Sequence, residues 1–335
     1  WWTREGKAFV KINSDGLRDK EYSKNKKSNI IRIVLLGDSF AEARSIKLER
    51  TFWSLLEKNL NTCKKDKQKK VEIINFGVTE YGTTQQYLTL IHHAWDYDPD
   101  IIILAFFSGN DIADNSKILS KKKYRPYFIF ENNKLVIDNS FRKSKPYLLL
   151  KSNFGQIIIN LSNYSRVIQF LREIYVKNYF KKQNRVKNNI EKINEPGLSL
   201  HNLYNPSNPS WQKAWNITEH VIRMINKNVK ENKKEFILIS LSNSLQVHPD
   251  ADFREKNKKK LNIQDLFYPE KRIKLLGEND GFKVINLAEK LQKYAEKNKI
   301  FLHGFENNVM GEGHWNELGH KISSNIISKE FCKNF

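Results

Sequence analysis

The chain has no apolar run approaching the ~18–20 residues that a helical membrane span requires, so a bundle of membrane helices is excluded. Its only cysteines are Cys63 and Cys332. Two residues exclude a disulfide-built scaffold; they could pair with each other only if the fold brought them together, and they do not fix the redox compartment. No His, Cys or Asp cluster has metal-ligand spacing, and neither a metal nor a cofactor is expected. Internal repeats and linker-length low-complexity tracts are also missing. Acid is the scarcer charge: 37 Asp and Glu stand against 58 Lys and Arg, a formal net charge of +21. The excess invites a nucleic-acid reading, but no zinc-finger, helix-turn-helix or RNP-like pattern accompanies it. Arginine, the better phosphate fork, is the minority cation. Short lysine runs such as Lys121-Lys122-Lys123 and Lys258-Lys259-Lys260 read as solvated faces, with attraction to an acidic glycan or an anionic membrane surface as the functional alternative. The opening Trp1-Trp2-Thr3-Arg4 carries neither an initiator Met nor a signal-peptide core, as expected of a fragment or processed product. Membrane association through a missing N-terminal segment therefore stays open, and an exported or anchored setting is preferred to a cytoplasmic one. The oligomeric state is not specified.

What is present is a layered pattern. Ile31–Leu36 is an apolar, β-branched run that suits a strand buried on both faces of a parallel sheet. It ends at Gly37-Asp38-Ser39, small and polar residues that allow a sharp turn. Helical spacing follows at Phe52, Leu55, Leu56 and Leu60, then a strand over Val71–Phe76 ending at Gly77. A helix over Thr83–Trp95, capped by Thr83, leads to a third strand, Ile101–Phe107, which ends in Ser108-Gly109-Asn110-Asp111. Right-handed crossovers make this a doubly wound α/β protein, a three-layer α/β/α flavodoxin-like parallel sheet with all three turns on one edge. Residues 1–29 read as an arm that packs on the domain without joining its sheet. The main domain is 30–335, interrupted at about 116–210 by an insertion. Within it, Tyr127–Asp138 alternates as a hairpin around Asn132-Asn133 and Phe154–Tyr179 carries amphipathic helical spacing. The insertion is expected to cover or border the active edge, with an independent partner-binding module as the alternative. The layered pattern resumes with a helix over Trp211–Lys230, strands at Phe236–Leu241 and Lys283–Leu287, helices at Pro269–Gly277 and Ala288–Lys297, and a last helix to about Phe331.

A serine just past the C-terminal end of a parallel strand sits where open α/β sheets place their ligands. Its hydroxyl needs a base to become a nucleophile, and histidine titrates in the right range. Here Gly37-Asp38-Ser39-Phe40, Asn75-Phe76-Gly77, Gly109-Asn110-Asp111 and His314-Trp315-Asn316, in that order, resemble the four blocks of the SGNH (GDSL) hydrolases. The similarity covers about residues 30–115 and 211–331. It implies Ser39 as nucleophile, His314 as general base, and an oxyanion hole formed by the Ser39 N–H, the Gly77 N–H and the Asn110 side-chain amide. The family needs no metal. One departure concerns the acid that usually precedes the histidine by two or three residues: position 311 is Gly and position 312 is Glu. Glu312 is the candidate orienting acid. A backbone carbonyl serving a Ser–His dyad, or an unactivated site, remains open beside it. His303 and His320 read as packing histidines, and Asp38 and Asp111 as turn-organising side chains.

The function these residues point to is a serine ester hydrolase or acyltransferase working through an acyl-enzyme. Its partner would be an O-acylated carbohydrate, an acidic one if the positive charge serves recognition, or a lipid ester, with no nucleic-acid partner. The alternative from another class is a catalytically weak or inactive SGNH-like module that binds a glycan or a protein.

Overall fold

Ile30–Leu36 forms the first strand of the central sheet, β1, and its side chains alternate between two cores. Ile33 and Leu35 face one, Val34 and Leu36 the other, all at most 1% exposed. A run this apolar on both faces leaves no side for water, and both faces are covered by helices. In this computed structural model, residues 2–3, 5–120, 122, 124–171, 174, 178 and 208–333 are described. The chain divides into one unit from residues 1–120 and 197–335 and another from 121–196.

In the first unit, β1 is joined by β2 (Lys70–Asn75), β3 (Ile101–Phe106), β4 (Glu235–Ser240) and β5 (Lys283–Asn286), in the order β2-β1-β3-β4-β5. Every pairing is parallel. This is the flavodoxin-like doubly wound arrangement, in which ligands sit beyond the C-terminal strand ends where the order reverses. The helices Phe52–Cys63, Ala288–Asn298 and Glu317–Cys332 fill one face through Phe52, Leu56, Leu60, Leu291, Ile322, Ile327 and Phe331. Thr83–His92, Pro209–Glu231 and Tyr268–Asp280 fill the other through Leu90, Trp215, Ile222, Ile225, Ile273 and Leu276. Each such side chain removed from water contributes about 1.5–3 kcal/mol. The helix starts at Thr83 as expected, but its N-cap is Gly82 rather than Thr83 and it ends at His92. A further helix, Ala251–Lys260, lies in a stretch to which the sequence pattern assigns no element.

Residues of the N-terminal arm stay outside the sheet. Trp2–Thr3 pairs only with Gly6–Lys7. Further on, the Arg18 guanidinium, 2% exposed, donates to the carbonyls of Glu42, Ala43 and Ile46. Asp19 accepts the Asn75 N–H at 2.9 Å, and the Tyr22 hydroxyl donates to the Ile73 carbonyl at 2.7 Å.

The second unit holds an antiparallel hairpin, Tyr127–Glu131 with Lys134–Asp138. Its turn residues Asn132 and Asn133 both have positive φ, 49° and 60°, as a type I′ turn demands. Two helices follow, Lys145–Lys151 and Asn153–Tyr164. Most of the expected helical and polar stretch beyond residue 171, through residue 207, lies outside the described residues.

Cys63 and Cys332, at the ends of adjacent helices, form a disulfide across a sequence separation of 269 residues. Closing so long a loop restricts the unfolded chain strongly, on the order of 5 kcal/mol in the chain-entropy account. Reduction, or a paired Cys63→Ser/Cys332→Ser variant, should lower the thermal midpoint, with a loss of about 2–5 kcal/mol measured by denaturant titration. An unchanged midpoint would mean that the link adds nothing to what the helix packing already secures.

Candidate active site

Three turns at the C-terminal edge of the sheet approach one another because β1, β2 and β3 run parallel. After β1, the chain folds back at once into a single helical turn, Ser39–Glu42. Gly37 permits this, since a Cβ there would lie 2.7 Å from the Ala41 Cβ. Asp38 caps the turn by accepting the Phe40 N–H at 2.9 Å, and Ala43 ends it at φ +48°. Ser39 is thereby held with its N–H at the start of a helical turn, where no intrahelical carbonyl can engage it.

The Ser39 hydroxyl lies 2.8 Å from His314 Nε2. On the far side of the ring, His314 Nδ1 lies 2.6 Å from Glu5 Oε2, and the His314 backbone N–H donates to Glu5 Oε1 at 3.2 Å. A carboxylate acceptor at Nδ1 puts the ring proton there and leaves Nε2 to accept from the serine. Burial raises the Glu5 pKa, but the hydrogen bonds and charge of His314 outweigh it, and the carboxyl sits below its usual value. Glu5 occupies the turn between the paired segments Trp2–Thr3 and Gly6–Lys7. The Gly6 backbone, at φ +137°, passes close to the Phe305 ring and the Ser45 carbonyl.

This corrects the expectation for Glu312. That residue is exposed, its N–H is bonded to the Val309 carbonyl at 3.3 Å, and the ring nitrogen it would serve is held by Glu5. Gly311 and Gly313 flank it at φ +86° and +73°, a backbone path that favours glycine on both sides. No spacing rule connects residues 5 and 314.

The His314 loop is fixed from behind by a buried network. Trp315 Nε1 donates to Ser242 Oγ at 2.8 Å, Ser242 Oγ lies 3.1 Å from His303 Nε2, and His303 Nδ1 lies 2.6 Å from the Gly313 carbonyl. One set of protons satisfies all three contacts: Nδ1–H to the carbonyl, and the serine hydroxyl to Nε2. Burial pushes the His303 pKa down to about 4, against the Gly313 hydrogen bond. His320 is stacked on Phe52 and accepts the Phe52 N–H at Nδ1, 3.1 Å away. Burial, then the nearby cations, lower it to about 3.

The remaining expected residues fall differently. Asn110 is buried beside the Gly37–Ser39 turn, its Nδ2 donating to Asp38 Oδ2 at 2.8 Å and its Oδ1 without a partner. Gly77 packs against the same turn; a Cβ there would lie 2.5 Å from the Ala41 Cβ. Its N–H, expected to face the oxyanion, instead donates to Asn75 Oδ1 at 2.9 Å, closing a local turn. Burial raises the Asp38 pKa against its hydrogen bonds from Asn110 and Phe40. Burial and then the Asp38 charge raise that of Asp111. A pocket of about 170 Å³ opens beside Ser39, walled by Ala43, Arg44, Ser45, Ile46 and Thr79. Its floor is braced by Glu42, which accepts from Arg44 Nε and the Thr79 N–H, each at 2.7 Å. Among the described residues no group of three His, Cys, Asp or Glu could hold a metal ion.

Fold and site together define a doubly wound α/β protein with a Ser–His–Glu hydrogen-bonded chain at the C-terminal edge of its sheet. No protein-family model and no curated protein matches the chain. Among solved structures it is similar to an acetyl xylan esterase, AlAXEase, at 11% identity over 90% of this chain and 99% of that one, with a TM-score of 0.47. A catalytic mutant of Axe2, an acetylxylan esterase from Geobacillus stearothermophilus, is similar at 9% identity over 93% and 97% of the two chains, TM-score 0.46. A putative lipolytic protein of the G-D-S-L family from Desulfitobacterium hafniense DCB-2 is similar at 11% identity over 89% and 98%, TM-score 0.39.

The two buried rings carry their own test. With folded values of about 4 and about 3 against an ordinary 6.5, each favours folding fully above pH 6.5 and progressively less as the pH falls toward the folded value. Long-range ¹H–¹⁵N spectra at pH 5 should show both rings neutral, His303 protonated at Nδ1 and His320 at Nε2. A charged ring at either position would overturn the network drawn here.

Proposed function

We propose that the chain is an SGNH-type serine esterase that removes a short acyl group from a carbohydrate. The observation that carries this is the unbroken hydrogen-bonded chain from the Ser39 hydroxyl through His314 to Glu5. The four sequence blocks supply the family likeness, and the flavodoxin-like sheet order supports a site at the C-terminal strand ends.

In this mechanism Ser39 Oγ attacks the ester carbonyl carbon while His314 Nε2 takes its proton. Glu5 stabilises the imidazolium that forms and keeps the ring in the productive tautomer. Charge on the carbonyl oxygen is met by the Ser39 N–H and the second Nδ2–H of Asn110, whose first is committed to Asp38. Gly77 contributes through packing, and its N–H could join only by leaving Asn75. The tetrahedral intermediate collapses as His314 returns the proton to the departing alcohol oxygen, leaving an acyl-Ser39 ester. Water, or an acceptor hydroxyl in a transfer reaction, then loses its proton to His314 as it attacks the acyl carbon; the second tetrahedral intermediate collapses, the acyl–Oγ bond breaks, and His314 returns the proton to Ser39 Oγ. The small pocket supports a short acyl group, since sites for larger organic ligands run ~300–1,000 Å³. The net charge of +21 supports an acidic polymer as the acyl carrier. The Cys63–Cys332 disulfide supports an oxidising, exported setting.

A fluorophosphonate probe should label the protein once, and Ser39→Ala should abolish the label. Turnover of p-nitrophenyl acetate should exceed that of the octanoate by roughly tenfold or more, the price of seating a long chain in a short pocket. Absence of labelling in folded protein would favour a non-catalytic binding module.

A second measurement separates the two glutamates. Glu5→Gln keeps the shape but loses the charge, and should lower kcat/KM by about 10²–10⁴-fold. Glu312→Gln should leave it within about twofold, as expected of an exposed side chain off the ring. The reverse ranking would restore Glu312 as the orienting acid.

A further inference from the structure

In the unit formed by residues 121–196, apolar side chains recur at core spacing on a face that meets solvent. Phe154, Ile157, Ile158 and Leu161, at i, i+3, i+4 and i+7 along Asn153–Tyr164, are 64, 56, 42 and 50% exposed. The same spacing recurs beyond Ser165, where Val167, Phe170, Leu171 and Ile174 are 67, 63, 58 and 41% exposed. The run Leu148–Leu150 on the preceding helix is about as open. In a globular domain a stripe of this kind is the one turned inward, and exposed apolar patches mark interaction sites. The helices that carry it are held together. Gly155 meets the helix before it so closely that a Cβ would lie 2.0 Å from the Leu149 carbonyl oxygen.

Charge discriminates between occupants. From Asn139 to Ile174 the sequence carries six basic residues (Arg142, Lys143, Lys145, Lys151, Arg166 and Arg172) and one acid, Glu173. The apolar groove of a protein partner accounts for the stripe alone. An anionic bilayer accounts for both features, taking the apolar side chains at the acyl boundary and the cations at the headgroup phosphates. The element is too short to cross. Asn153–Tyr164 has 12 residues, which span about 18 Å of a ~30 Å hydrocarbon core, and among the described residues no helix is long and apolar enough for a span. We infer that residues 139–174 are an interfacial membrane-binding element that seats the protein on an anionic lipid surface. This holds whether or not Ser39 is a nucleophile.

The test is flotation of the full chain with two kinds of vesicle, phosphatidylcholine alone and an equimolar mixture with phosphatidylglycerol. Binding to the anionic vesicles should be stronger by about tenfold or more and should weaken as salt is raised, each basic residue at the surface contributing about fivefold. Paired Lys143→Glu and Lys145→Glu should cost at least that contribution twice over. Ile157→Asp with Leu171→Asp, at positions already in water, should abolish binding to both vesicles. Unchanged circular dichroism and thermal midpoint would show that these variants still fold. No binding, equal binding to the two vesicles, or full binding by the aspartate pair would overturn the inference. So would a dimer in sedimentation that Ile157→Asp dissolves, which would make the stripe a protein–protein interface.

Discussion

One carboxylate grips one residue twice. Glu5 takes both the ring N–H and the backbone N–H of His314, so it sets the rotation of the imidazole and the height of its loop together. This grip depends on an arm that belongs to no strand of the main sheet. A segment outside the sheet holds its place only where it is tied down, and this arm is tied at several places. Arg18 reaches the carbonyls of the loop after Ser39, while Asp19 and Tyr22 hold the backbone of β2. Burial lowers the Arg18 pKa to about 10, which still leaves a full positive charge at neutral pH facing three carbonyl dipoles. The loop gripped by Arg18 also supplies Ala43 and Ile46 to the pocket wall. Loosening the arm would therefore disturb the acid and the pocket at once.

Three histidines lie close together here, and two of them are kept neutral. His303 and His320 are almost fully buried, at 1 and 2% exposure, and each accepts a hydrogen bond that only an uncharged ring can take. Their neutrality matters to the third. A cation beside His314 would oppose the imidazolium through poorly screened Coulomb repulsion. Glu5 thus remains the charge in direct contact with the ring. The Ser242–His303 network serves as a scaffold for the loop.

Features set by short-range periodicity were legible in the sequence. The double-sided burial of β1, the parallel strands with polar turns at one edge, and the Asn132-Asn133 hairpin all follow from residues within ten positions of one another. The convergence of Ser39 with His314 came through family likeness. What escaped was of two kinds. The helix Ala251–Lys260 is polar on nearly every side and so shows no amphipathic period; Asp250, which caps it by accepting the Asp252 and Phe253 N–H groups, was its only signal. Glu5 escaped because a contact across 309 positions leaves no local trace. Gly77 is ambiguous for another reason, a tight turn and an oxyanion donor both being open readings of it. A glycine required by close approach to Ala41 looks the same in sequence as a glycine required to free an amide.

The polar groups nearest Ser39 are largely committed to one another, and that limits what can stabilise an oxyanion. Gly77 N–H is closed on Asn75, whose own amide donates to the Ala41 carbonyl. Both Asp38 oxygens accept, one from Phe40 and one from Asn110, a pattern that suits the carboxylate form. Burial, and then the charge of Asp114, push the other way. Asp38 is spent on aiming the Asn110 amide across from β3 to β1, and so is not a second acid for the histidine. A donor held on one side by a charged acceptor has its second N–H direction fixed before any substrate arrives. In the mechanism proposed for Ser39, such preorganisation would strengthen oxyanion stabilisation by Asn110, because no dipole would have to turn as the negative charge develops.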